Sequence, residues 1–299
     1  MKIAILILLS LLPVALLLLF FEKQDKGRKD PLKLKWKVFL WGILITILAG
    51  FIEVNLDGLF HQFIADNILY FFVTAFVTAA IIEEVAKYLV VRKVVYNNKN
   101  FDEVMDGINY TIIASLGFAA LENVLYVVSG GYVIAIIRAL LSVPAHALFS
   151  GIMGYYIGVS RFFPGKDSPT KVIAKGLFLA IFYHGLFNFL LMTESPAIVL
   201  VIPLMVFMGL HLKYLIGKAQ FLDKNTKKQP EKLTVGHAIR IFIGCIFLVV
   251  GAASIAGSIM LVQDNVAGYG TQDIYTSIGF ALVLALISYL IMKKYRKKA

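Results

Sequence analysis

Two adjacent carboxylates, Glu83 and Glu84, lie inside an apolar stretch that runs from about residue 68 to residue 91. A carboxylate near the middle of a membrane costs about 2.5–3.5 kcal/mol on insertion scales, and residues of this kind usually have a function. Lys87 follows at i,i+4 from Glu83 and at i,i+3 from Glu84, so either carboxylate can reach its ammonium on a helix. Because adjacent side chains point about 100° apart, we expect the two to have different roles: one carboxylate faces a cavity, and the other pairs with Lys87 or orients its neighbours.

Two histidines have matching surroundings in neighbouring apolar segments. His146 is followed four residues later by Ser150, and His184 is followed four residues later by Asn188, on the same helix face in both cases. A neutral imidazole can bind a metal, donate a hydrogen bond to an oxyanion or move a proton. The alternative is that both are ordinary core histidines, but their position beside carboxylates favours one shared site.

A second charge pair is predicted around the turn Ser129-Gly130-Gly131. Glu122 lies eight residues before Gly130 and Arg138 lies eight residues after it. In two antiparallel helices that leave a tight turn, these positions are at similar depth, so we expect an ion pair between Glu122 and Arg138. Asn123 adds a second polar group to the same helical turn.

The elements that position these residues are predicted to be membrane helices. The chain has 299 residues, of which 60% are hydrophobic and only 16% are charged. Nine apolar segments are long enough for the roughly 20 residues of helix that cross a bilayer. They lie near residues 3–21, 38–55, 68–91, 107–128, 132–160, 172–192, 197–216, 238–262 and 274–292. The sequence therefore predicts an all-α, polytopic transmembrane bundle without a soluble domain, whose first span is retained rather than cleaved as a signal peptide.

The net charge of +11 reflects membrane topology rather than nucleic-acid binding. All but three of the 29 Lys and Arg residues lie in or beside alternate loops and the C-terminal tail, and the intervening loops contain none. Basic loops stay in the cytoplasm, so nine spans give an outside N-terminus and a cytoplasmic C-terminus. Such loops can also contact anionic lipid.

The ionisable residues at membrane depth fall on spans three to six. We therefore predict one membrane domain over residues 1–299, with a catalytic core at about 68–192 and accessory spans at 1–67 and 193–299. Glycines at 107, 117, 151, 154 and 158 are interpreted as positions where helices approach closely.

Four ordered motifs resemble those of the PrsW-type intramembrane proteases. They are EEVAK, DGINY followed by GFAALEN, HALFS and HGLFN, and together they cover about residues 70–190. The matching positions are Glu83, Glu84, Lys87, Asp106, Gly107, Tyr110, Gly117, Phe118, Ala119, Glu122, Asn123, His146, Ser150, His184 and Asn188. The related membrane proteases that trim CAAX proteins usually carry an arginine four residues after the second glutamate. Here that position is Tyr88, which favours the PrsW-type pattern.

The resemblance implies endoproteolysis of a membrane-anchored protein in the cytoplasmic membrane of a bacterium. The best-known substrates of the family are anti-sigma factors, although its members need not share a partner. Peptide hydrolysis needs an activated water and a stabilised oxyanion, which Glu83 or Glu84, His146, His184 and Asn188 can supply. Of the two glutamates, we favour Glu83 as the base and Glu84 as the counter-ion of Lys87. A divalent metal such as zinc, held by Glu83, His146 and His184, is the alternative, although the sequence lacks HExxH.

A rival interpretation is a proton- or ion-coupled transporter. Intramembrane Glu, His and Arg side chains are suited to proton relays. Against this interpretation, the sequence has no repeated halves and no matched pair of broken helices, which are typical of many transporters.

Overall fold

The structure is a computed structural model that describes residues 2–24, 30–163, 165, 167–193, 196–225, 275 and 282. Every regular element among these residues is helical. The α-helices are α1 (Lys2–Gln24), α2 (Leu32–Phe63), α3 (Asn67–Val73), α4 (Ile82–Val94), α5 (Val104–Ile137), α6 (Val143–Phe162), α7 (Pro169–Met192) and α8 (Val201–Lys224). Two π-helical segments, Thr74–Ile81 and Arg138–Ser142, and a short 3₁₀ helix, Pro196–Leu200, complete the list.

Six helical stretches are long and apolar enough to cross a membrane: Lys2–Gln24, Leu32–Phe63, Asn67–Val94, Val104–Phe162, Pro169–Met192 and Pro196–Lys224. They coincide with the first seven predicted spans, because the 59-residue stretch Val104–Phe162 contains two of them. The chain is thus an integral membrane protein, and its described part is all-helical. The predicted span at 238–262 lies outside the described residues, as does all of the span at 274–292 except residues 275 and 282.

The stretch Val104–Phe162 folds back on itself at Gly131, as the glycine-containing turn predicted. Gly131 has φ 76° and ψ −160°, a conformation that only glycine adopts readily. Residues of α6 then pass those of α5 in antiparallel order. Ser115 donates a hydrogen bond to the carbonyl oxygen of His146 at 2.8 Å, and Gly107 packs against Gly154 nearer the other end of the hairpin.

Glycine allows this hairpin to close. A Cβ atom on Gly154 would meet the carbonyl oxygen of Gly107 and would lie 2.8 Å from the Cα atom of Ile108. A Cβ on Gly107 would meet backbone atoms of Gly154 and Gly158 in turn. The neighbours on both sides are backbone, which cannot rotate away. The prediction that these glycines mark a close helix contact is confirmed.

We expect Gly154→Ala to destabilise the protein by about 1–3 kcal/mol, the usual penalty for overpacking a tight contact. Gly50→Ala is the matched control, because nothing lies within 4 Å of a Cβ at that helical position and alanine is the better helix former. Thermal unfolding of each full-length variant in detergent gives its melting temperature. Equal melting temperatures for the two variants would contradict the close contact.

Two π-helical segments directly precede the residues of interest. Thr74–Ile81 leads into α4 with its two glutamates, and Arg138–Ser142 leads into α6 with His146. In the second segment, the backbone N–H of Val143 donates to the carbonyl oxygen of Arg138, five residues back. Pro144 has no N–H to donate and its ring would clash with the carbonyl four residues earlier, which favours the wider turn. π-Helical turns occur frequently at functional sites.

The chain divides into two compact units. The first contains Met1–Met192 and Leu212–Pro230, and the second contains Thr193–His211 and Glu231–Ala299. Helices α1 to α7 belong to the first unit, and the candidate site lies entirely within it.

Candidate active site

Four helices bring the sequence-predicted residues to one place. Helix α4 carries Glu83, Glu84 and Lys87, α5 carries Glu122 and Asn123, α6 carries His146 and Ser150, and α7 carries His184 and Asn188. Underneath, α2 and α5 pack Ala49 and Phe118 against Ala86 of α4. An apolar cluster thus packs directly against the helix that carries the two glutamates and Lys87.

Lys87 is the centre of the cluster. Its ammonium lies 3.0 Å from Glu83 Oε2, 2.7 Å from Glu84 Oε1 and 3.0 Å from His146 Nδ1. It also lies 4.5 Å above the ring of Phe118, at cation–π distance. Lys87 is fully buried, so its ammonium stays inside the cluster. The two carboxylates and the imidazole provide one acceptor for each of the three N–H donors of the ammonium. The buried ammonium therefore has no unsatisfied donor.

Glu84 is held by three other side chains. Its Oε1 atom accepts from Lys87 and lies 3.0 Å from His184 Nδ1, and its Oε2 atom accepts from the Ser150 hydroxyl at 3.0 Å. The side chain is completely buried. Both oxygens are therefore occupied by donors from α4, α6 and α7. Ser150, which the sequence paired with His146, instead bonds to this carboxylate.

Glu83 is bound less completely. Among the described residues it accepts one hydrogen bond, from Lys87 to Oε2. Its other oxygen, Oε1, lies 3.9 Å from His184 Nε2. At this distance the two atoms make no direct hydrogen bond, and a water molecule beside them could bond to both. Glu83 therefore keeps an acceptor oxygen for a reactant, which Glu84 does not.

The hydrogen-bond partners assign the tautomer of each histidine. A carboxylate only accepts, so His184 donates from Nδ1 to Glu84, and its Nε2 accepts from Asn188 Nδ2 at 3.1 Å. An ammonium only donates, so His146 accepts from Lys87 at Nδ1 and carries its proton on Nε2. The ring of His184 is stacked on Phe149, with centroids 4.5 Å apart, which fixes its orientation.

A charged extension leads from His146 into α5. His146 Nε2 lies 2.8 Å from Glu122 Oε2, and Glu122 Oε1 lies 3.2 Å from an Arg138 guanidinium nitrogen. Both contacts are at ion-pair distance without the alignment of a directed hydrogen bond. Arg138 Nε donates to Asn123 Oδ1 at 2.8 Å, and Asn123 donates to the backbone of Ser10 in α1. The predicted approach of Glu122 and Arg138 is confirmed.

Asp106 is not brought to this cluster. Its Oδ2 atom accepts from the backbone N–H groups of Asp102 and Glu103, at 2.7 and 2.8 Å. The next two N–H groups, of Val104 and Met105, donate to Asp223 of α8. These carboxylates satisfy the free N–H groups at the start of α5. Asp106 is therefore a helix cap at the end of the span, far along α5 from Glu122.

Sequence reasoning missed Glu53 of α2. Glu53 is only partly exposed, its Oε1 atom is buried without a hydrogen-bond partner among the described residues, and it interacts electrostatically with Glu83, Glu122 and Lys87. The signal was present: Glu53 is an acidic residue inside the predicted second span. The cluster is thus more acidic than spans three to six alone indicated.

The donor atoms for a metal form two overlapping groups. Glu83, Glu84 and His184 make one, and Glu83, Glu122 and His146 make the other, each with one ligand atom per residue within 4.8 Å of the others. The predicted set of Glu83, His146 and His184 takes members from both. Structural and catalytic zinc sites use at least three protein ligands.

Lys87 competes with a metal ion for ligand atoms of both groups. The ammonium already contacts Glu83 Oε2, Glu84 Oε1 and His146 Nδ1, and a cation placed among these atoms would lie beside a positive charge. The donors that face away from Lys87 include Glu83 Oε1, His184 Nε2, which accepts from Asn188, and His146 Nε2, which lies 2.8 Å from Glu122 Oε2. A zinc ion held by three of these side chains would have to displace contacts that they already make with Lys87, Asn188 or one another.

Apolar helices that enclose carboxylates, imidazoles and an ammonium define a polytopic membrane protein with a hydrolase-like site. A family model described as PrsW family intramembrane metalloprotease matches residues 30–212. The chain therefore belongs to the PrsW family and is an intramembrane protease.

Curated relatives agree with this assignment. The protease PrsW of Geobacillus kaustophilus is 38% identical over 185 residues, which cover 61% of this chain and 78% of the relative. The protease PrsW of Bacillus subtilis is 34% identical over 198 residues, which cover 66% of this chain and 87% of the relative. The protease PrsW of Clostridioides difficile is 30% identical over 237 residues, which cover 76% of this chain and 98% of the relative. No solved structure matches the chain.

Proposed function

We propose that the protein cleaves a peptide bond of a membrane-anchored protein by means of a water molecule activated by Glu83. The observation that carries this proposal is the free Oε1 atom of Glu83, 3.9 Å from His184 Nε2, in a cluster whose other carboxylate is fully bound. Glu83 takes a proton from water as the water oxygen bonds to the scissile carbonyl carbon. It then returns the proton to the leaving amine as the C–N bond breaks.

Asn188 is the proposed oxyanion donor. One N–H of its side-chain amide donates to His184 Nε2, which leaves the second N–H for the carbonyl oxygen of the substrate. A donor held in place before the reaction stabilises the developing oxyanion without reorganisation. In this scheme Glu84 holds His184, which positions Asn188. Lys87, which also contacts His146, positions Glu83.

The proposed catalytic core is residues 68–192 within a single membrane domain, and the spans before and after it are accessory. We place the N-terminus outside and the C-terminus in the cytoplasm, with nine spans, because the basic residues lie in alternate loops. The membrane is then the cytoplasmic membrane of a bacterium, in keeping with the bacterial relatives. An anti-sigma factor with a single membrane span is the substrate class that the family resemblance supports.

An alanine scan in a cleavage assay tests the proposal. Full-length enzyme in detergent or liposomes is incubated with a tagged, single-span anti-sigma factor, and the product is followed by immunoblot. Alanine at Glu83, Glu84, His146 or His184 is expected to abolish cleavage, and alanine at the exposed Ser129 is expected to preserve it. Cleavage by all four site variants would remove the support for this active site.

A chelator separates the two chemical mechanisms. Cleavage that persists after extensive treatment with a strong chelator agrees with an ammonium-centred site. Loss of cleavage that zinc restores would overturn the metal-free mechanism, but it would leave the protease assignment intact.

A further inference from the structure

A cavity of about 520 Å³ lies between α1, α2 and α5. Its lining includes Asn109, which precedes Glu122 by thirteen residues on α5, a distance of about 20 Å along a helix. The cavity is therefore separate from the candidate active site. Its volume lies in the range of sites that bind small molecules.

The cavity has a polar end and an apolar end. Glu22, Lys35 and Asn109 line it from three different helices, near the C-terminus of α1 and the N-termini of α2 and α5. On each helix the residue four positions further into the span also lines the cavity and is apolar: Leu18, Phe39 and Ile113. One helical turn thus separates a polar rim from an apolar interior, which is the arrangement that an amphiphile requires.

The polar rim contains an unpaired amide. Asn109 is only 5% exposed, and neither its Nδ2 nor its Oδ1 atom has a hydrogen-bond partner among the described residues. A buried amide without partners keeps the whole penalty of its desolvation, so a ligand that both accepts and donates would relieve it. Lys35 lines the same cavity. It is 8% exposed and lies 2.6 Å from Glu22, with N–H donors left for an anion.

We propose that this cavity binds one phosphatidylglycerol molecule. An acyl chain fills the space between Leu18, Phe39 and Ile113, and the ester carbonyl next to the chain accepts from Asn109 Nδ2. The phosphate lies at Lys35, and a head-group hydroxyl donates to Asn109 Oδ1. The exposed Lys33 and Lys37, four residues apart on one face of α2, add to the attraction of this end of the helix for anionic lipid.

Native mass spectrometry of the full-length, delipidated protein tests the proposal. Phosphatidylglycerol is titrated in detergent, and diacylglycerol with the same chains serves as the probe without a phosphate. We expect one phosphatidylglycerol per chain, bound at least tenfold more tightly than diacylglycerol. Ile113→Trp fills the apolar end and Asn109→Leu removes the amide, and each is expected to weaken binding at least fivefold.

Leu125→Trp is the matched control, because Leu125 lies on the same helix and is 61% exposed. It should bind phosphatidylglycerol like the wild type. Protease activity of the variants, none of which changes the candidate active site, shows that each one is folded. Equal binding by the wild type, Ile113→Trp and Asn109→Leu, or equal binding of the two lipids, would overturn the proposal.

Discussion

Glu83→Gln is expected to lower kcat/KM for substrate cleavage by about 10²–10⁴-fold, the contribution typical of a general base, while the protein remains folded. Glutamine keeps the shape of the side chain and an oxygen that can accept from Lys87, but it cannot take a proton from water. The single hydrogen bond that Glu83 accepts from Lys87 means that little else is lost. We expect a fall of less than about 1.5 kcal/mol in the free energy of unfolding.

Glu84→Gln is the informative comparison. Glu84 accepts hydrogen bonds from Lys87 and Ser150 and contacts His184, and each bond to a charged group contributes about 1.5–3 kcal/mol. The amide would also place an N–H against at least one of these donors. We therefore expect Glu84→Gln to reduce activity and to lower stability by more than Glu83→Gln does.

The two variants are compared by initial rates at several substrate concentrations and by unfolding of the purified protein in detergent. Asp167→Asn, in an exposed loop, controls for the loss of one negative charge. A Glu83→Gln enzyme with activity within tenfold of the wild type would contradict the assignment of the base. A stable but inactive Glu84→Gln variant would exchange the roles of the two glutamates.

Local sequence rules predicted the contacts that depend on one helix or one turn. Glu83, Glu84 and Lys87 meet because positions three and four residues apart share a helix face. Glu122 meets Arg138 because a glycine-containing turn places both at the same depth. His184 and Asn188 meet for the same reason as the glutamates and Lys87, and their contact is 3.1 Å.

Contacts between helices that are distant in the sequence were less predictable. Ser150 was paired with His146 on its own helix, but the packing of α6 against α4 directs its hydroxyl to Glu84. Helical spacing gives the face of a side chain, whereas the partner depends on the rotation of each helix in the bundle. The π-helical segments change this rotation just before α4 and α6, and only the second has a sequence signal, at Pro144.

Motif membership did not separate the site from its scaffold. Asp106 belongs to the same family motif as Glu122, yet it caps the N-terminus of α5. Glu53 belongs to none of the motifs, yet it interacts with Glu83 and Glu122. A motif contains residues needed for folding as well as those needed for chemistry, and only the positions of the helices distinguish the two groups.

Lys87→Met is expected to destabilise the protein by about 3–5 kcal/mol, because it leaves buried carboxylates without their counter-ion. Methionine has a similar length and no charge, so the packing against Phe118 is largely retained and the effect reports on the charge. Activity should also be lost, since His146 and Glu83 would no longer be tied together. Lys93→Met is the matched control, because Lys93 lies on the same helix and is exposed, and it should change stability by less than about 1 kcal/mol.

The double variant Glu84→Gln/Lys87→Met distinguishes charge pairing from general damage. If the ammonium and the carboxylate stabilise the fold as a pair, removing both costs less than the sum of the two single changes, and the coupling should reach about 0.5–3 kcal/mol. The double variant should remain inactive even where stability is partly recovered, because the hydrogen bond from Lys87 that positions Glu83 is still missing. Unfolding of all four proteins under one set of detergent conditions gives the cycle. Additive losses, or a Lys87→Met protein as stable as the wild type, would show that the ammonium is not the centre of the site.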